Sequence, residues 1–67
     1  MKNADLIIIL ERMKSHHVGI RDSLLLTIIN ETPIQWDDGI STEERVLREE
    51  DAIKALDQNI LRLHSSK

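Results

Sequence analysis

The sequence predicts an all-α fold, an antiparallel two-helix hairpin that completes a four-helix bundle by dimerisation. Three observations carry the prediction. Two long segments repeat apolar residues at alternating helical intervals. Between them lies a stretch with Thr32-Pro33 at one end and Asp38-Gly39 at the other, which is turn chemistry. The chain has only 67 residues and no cysteine. A lone hairpin of that size buries little apolar surface and has no disulfide to compensate, so reinforcement is expected from a second polypeptide.

Helix 1 is expected over about residues 4–31. Leu6, Leu10, Met13, Ile20, Leu24 and Ile28 form one stripe, with His17 at the intervening position, and this stripe is assigned to the hairpin core. At about 100° per residue a second stripe runs beside it through Ile7, Val18, Leu25 and Ile29. One neighbouring helix covers one stripe, so the second is assigned to a partner or dimer interface. Ile8 and Leu26 fall on neither. Asn3 or Asp5 is expected to cap the start. Pro33 ends the helix, because the residue before a proline, Thr32, is pushed toward extended geometry.

The connecting segment, residues 32–40, contains Ile34, Trp36 and Ile40, too apolar for a purely solvated loop. They are predicted to fold back over the end of the hairpin. Trp36 is also a candidate partner contact, since tryptophan is enriched among residues that dominate binding energy. Helix 2, about residues 41–64, opens on Ser41-Thr42-Glu43-Glu44, the pattern of a capping box. Its seam is Val46, Ile53, Leu56, Ile60 and Leu63, which supplies the other half of the hairpin core. Glu44 with Arg48, and Glu50 with Lys54, are spaced as favourable surface pairs. Ser65, Ser66 and Lys67 are expected to fray. Residues 1–67 thus read as a single helical-hairpin domain.

Composition narrows the function. The formal charge is −3, and the acidic excess lies after residue 31. A nucleic-acid surface needs clustered Lys and Arg, and Trp36 is the only aromatic residue to stack on a base. The apolar block Leu6–Leu10 is followed at once by Glu11 and Arg12, too soon for a membrane span or a secretory leader. With no cysteine to oxidise, a cytoplasmic location is expected.

No catalytic, cofactor-binding or metal-ligating residue is assigned. His16 and His17 are adjacent and diverge by about 100° on a helix, so one chain cannot easily aim both at one metal ion. His64 falls at the far end of helix 1 from them in an antiparallel hairpin. The carboxylates from Asp37 to Asp51 outnumber Arg45 and Arg48, but general acid-base chemistry also requires a concave site, which two helices rarely build. Neither enzyme activity nor a small-molecule substrate is expected.

The expected function is a non-enzymatic protein-protein interaction module, a small regulator, chaperone or adaptor acting through apolar helix faces. Its partner is itself, as a homodimer, or a dedicated protein. Two alternatives belong to other classes. One is a small helix-turn-helix-like DNA-binding regulator with Gly19 as the turn glycine. Its second helix would offer Asp22, Leu24 and Leu26 to DNA, and the stripe keeps register across 13, 17, 20 and 24 as a continuous helix requires. The other is an acidic inhibitor of a nucleic-acid-binding protein, presenting residues 37–51.

Overall fold

The computed structural model describes residues 2–65. Two helices, α1 over Asn3–Ile29 and α2 over Thr42–Ser65, pack against each other as a hairpin 47 Å long and 19 by 16 Å across. No strand occurs among the described residues. Ser65 is helical, while Ser66 and Lys67 lie outside the described residues.

Helix α1 is continuous through Gly19, so the turn required by a helix-turn-helix does not form. A Cβ at Gly19 would meet nothing within 4 Å. The residue therefore marks no close approach within the hairpin. At the start of α1, Lys2 occupies the N-cap position without a side-chain capping bond. Asn3 already lies inside the helix and Asp5 in its first turn, so neither is the predicted cap. At the other end α1 stops at Ile29, two residues short of the expected boundary (residue 31). Glu31 adopts the left-handed conformation, φ +54°. Its N–H donates to the Ile28 carbonyl (3.1 Å), and the Thr32 N–H reaches back to the Thr27 carbonyl (2.9 Å). This pair of bonds is a Schellman termination, which closes the helix before Pro33 is reached.

Helix α2 starts on half of the capping box. The Glu44 N–H donates to Ser41 Oγ at 3.1 Å, whereas the Glu44 carboxylate faces Arg48 at 3.6 Å. Asp38 and Gly39 make the preceding turn. The Gly39 N–H donates to the Trp36 carbonyl at 3.2 Å, and Gly39 sits at φ +73°, where a side chain would be strained.

The seam between the helices shares Leu10, His17, Leu24 and Ile28 with the stripe that periodicity selects on α1, but it is shifted round the helix from that stripe. The inward positions are Ile7, Leu10, Lys14, His17, Arg21, Leu24 and Ile28, all buried or half-buried. Their mean direction is rotated about 40° around α1 from the predicted core stripe. The shift adds Lys14 and Arg21 to His17, which already lay on the predicted stripe, and all three meet carboxylates of α2. Lys14 Nζ lies 2.6 Å from Asp57, His17 Nδ1 2.5 Å from Glu49, and Arg21 Nη1 3.3 Å from Glu50. Lys14 and Arg21 are one heptad apart, as are Glu50 and Asp57, so the outer two pairs set an antiparallel register. Glu50 thus takes Arg21 as its ion-pair partner in place of the predicted Lys54.

Rotation has its counterpart on the outside. Met13, assigned to the core by spacing, is 46% exposed. Leu24, Val46, Ile53, Leu56 and Ile60 are buried as predicted, while Leu6, Leu10, Ile20, Ile28 and Leu63 are half-buried. No side chain among the described residues is fully enclosed. Two helices leave every core position open on one side.

Candidate interaction surface

Helix α1 carries apolar side chains around its whole circumference, and α2 covers one side. Ile8, Ile9, Met13, Leu26 and Ile29 remain exposed on α1, with Leu47 and Leu61 on α2. Of the residues assigned to a partner, Ile7, Val18, Leu25 and Trp36 are half-buried, and Ile29 is the freest at 70% exposure. Ile7 belongs to the hairpin seam. The predicted partner stripe is therefore split: part of it borders α2, and the exposed apolar surface lies further round.

The connector shapes that surface. Trp36 does not cap the end of the hairpin; it lies along one flank, where it lines a cleft with Ile20, Leu24, Arg45, Arg48 and Glu49. Its indole Nε1–H donates to Thr42 Oγ1 at 3.0 Å, and the Arg45 guanidinium stacks over the ring, 3.8 Å from its centroid. The same guanidinium binds Asp38, reaching Oδ2 at 2.5 Å. Asp38 Oδ1 also accepts the Ile40 N–H at 3.0 Å. These two donors, the Ile40 backbone first and Arg45 second, hold the Asp38 carboxyl below the usual carboxylate range. Arg45 Nε is buried without a partner.

On the outer side of Trp36 a groove of about 650 Å³ opens against α1, with Gly19, Ile20, Ser23 and Thr27 as its floor and Ile34 and Trp36 as its wall. Its polar groups are partly satisfied from within. The Thr27 hydroxyl donates to the Leu24 carbonyl at 2.7 Å, and the indole N–H is taken by Thr42. The site suits an apolar occupant. The signal for it in the sequence was the run of small residues Ser15, Gly19, Ser23 and Thr27, spaced one helical turn apart.

Comparison with protein families, characterised proteins and solved structures returns no match. Function therefore rests on geometry alone. The two adjacent histidines are divided by the fold, His16 facing outward and His17 engaged with Glu49. No group of three or more metal-binding side chains converges among the described residues. Within the acidic run, Asp38, Glu44, Glu49 and Glu50 each face a basic side chain. No helix among the described residues is long and apolar enough to cross a membrane.

Proposed function

We propose that this chain is a non-enzymatic protein-protein interaction module, a small regulator, chaperone or adaptor, in which α1 is the central helix between α2 and a helix of another polypeptide. One observation carries the reading: large aliphatic side chains stay exposed around α1 while the hairpin core is only five buried residues. Single surface leucines are ordinary, but large aliphatic side chains left exposed on several sides of one helix support an interaction surface. The cysteine-free sequence fits a cytoplasmic protein, where thiol oxidation offers no stabilisation. The DNA-binding alternative lacks its turn at Gly19, and in the acidic-inhibitor alternative Asp38, Glu44, Glu49 and Glu50 already face basic side chains of the hairpin.

Sedimentation equilibrium of the purified chain over a wide concentration range, with circular dichroism melts on the same samples, tests the reading. A helical oligomer whose Tm rises with concentration supports it, because anything that binds the folded state stabilises it by mass action. So does a weakly helical monomer, which needs a different chain to fold. A monomer that is fully helical and melts cooperatively at a concentration-independent Tm would refute it, since the hairpin would then be self-sufficient.

A further inference from the structure

On the groove side of α1, Ile9, Met13, His16, Ile20, Ser23 and Thr27 recur at alternating intervals of four and three. The stripe includes no aspartate, glutamate, lysine or arginine, in a chain that is 31% charged. A face meant for water would share in that charge. Its two halves differ in kind. The N-terminal half raises Ile9 and Met13, 43% and 46% exposed, and the C-terminal half is the groove floored by Ser23 and Thr27 and walled by Ile34 and Trp36.

Turned about a two-fold axis lying between His16 and Ile20, this face complements itself. In an antiparallel pair of α1 helices, Ile9 falls opposite Thr27 of the other copy, Met13 opposite Ser23, and His16 opposite Ile20. These are the layers that an antiparallel coiled coil forms from a heptad stripe, and the outer ones, Ile9 with Thr27 and Met13 with Ser23, set a larger side chain against a smaller one. Parallel pairing would stack Ile9 on Ile9 and Met13 on Met13 and leave the groove empty. The chain exposes 5240 Å², about 900 Å² more than a compact monomer of 7.7 kDa. The elongated hairpin spreads that excess over both helices, and a standard interface would take about 800 Å² from each copy.

From this self-complementarity we infer that the groove receives Ile9 and Met13 of a second copy of this chain, giving a two-fold dimer with antiparallel α1 helices at its centre. The inference rests on the interaction reading above and names its partner. The occupant is a second copy because knob and groove lie on one face at the spacing that a two-fold axis requires.

The absence of native cysteine makes cross-linking clean. The double variant Met13→Cys/Ser23→Cys places two thiols about 15 Å apart along one helix, beyond the roughly 7 Å that a disulfide spans, so a bond can form only between chains. Under mild oxidation it is expected to become a covalent dimer at least ten-fold faster than either single variant, with helix content retained. In the unmodified chain, acrylamide quenching of Trp36 should rise on dilution over the range where sedimentation reads dissociation. Single variants that link as fast as the double one would mean parallel or random pairing and overturn the inference. A dimer whose double variant does not link would overturn the face while leaving the interaction reading intact. A weakly helical monomer would overturn the second copy as partner and leave a different chain in its place; a stable, fully helical monomer would overturn both.

Discussion

Glu31 breaks two local preferences at once. It holds the left-handed conformation that closes α1, φ +54°, which costs a residue with a side chain about 1 kcal/mol or more relative to glycine. It also places a carboxylate at the negative end of a helix whose last turn has no basic residue. Glu31→Gly keeps the Schellman bonds and removes both penalties. It is expected to raise stability by about 0.5–1 kcal/mol, read as a higher urea midpoint at unchanged slope. Asp38 is the opposite case, a side chain whose surroundings suit its charge. Its folded pKa lies below its unfolded value, so its contribution is fully present above pH about 4 and is lost as pH falls through the lowered folded value. The difference in urea midpoint between the unmodified chain and Asp38→Asn should therefore be full at neutral pH and close in acid. A difference that persists unchanged at pH about 2 would show that the Arg45 and Ile40 bonds do not act through the ionised carboxylate.

At the level of the helices, a polar ladder crosses the seam where α1 meets α2. Lys14, His17 and Arg21 are partly exposed, and pairs of this kind contribute little to stability, about 0–1 kcal/mol each. Their value is in register, because their spacing matches Glu49, Glu50 and Asp57 in one antiparallel alignment. A charge swap tests this. Arg21→Glu and Glu50→Arg should each destabilise slightly, and the double variant should recover part of the loss in a double-mutant cycle, since the bonds of Arg21 to Asp22 stay lost. Zero coupling would mean that the apolar seam alone sets the rotation of α1. The ladder was legible in principle: Lys14 and Arg21 stand one heptad apart, as do Glu50 and Asp57. Apolar periodicity kept His17 but passed over Lys14 and Arg21 because they are polar, and the stripe through Met13 and Ile20 was the more hydrophobic choice. Long basic side chains can lay their methylene stems along a seam and keep their heads at its edge. That is how a more polar stripe came to face the partner helix.

Across the whole molecule, association through an uncharged stripe should depend only weakly on salt. Raising sodium chloride from about 0.05 to 0.5 M is expected to change the dissociation constant of the dimer less than about three-fold, since screening acts on charges and the proposed layers have few. A loss of affinity of ten-fold or more would point instead to the carboxylates of α2 as the contact. The two faces of α1 also divide the labour of the fold. One is closed by α2 and holds the hairpin, and the other borders the groove built by the connector. Trp36 links them, since Arg45, which stacks on it, comes from α2 and is tied to the turn through Asp38.

The sequence by itself determined the two helices, their connector and most of the α2 seam. Heptad spacing, the Ser41 cap and the Asp38-Gly39 turn are local signals, and each depends on residues within a few positions of one another. It also indicated a surplus of apolar surface that one hairpin cannot bury. Only the tertiary structure decided which side of α1 faces inward, that Met13 is left outside, and that Trp36 lies along the flank. Those outcomes depend on pairings between residues some thirty positions apart in the chain, such as His17 with Glu49. A helix that is apolar all round has no single hydrophobic face to announce its orientation, so the choice depends on the helix packed against it.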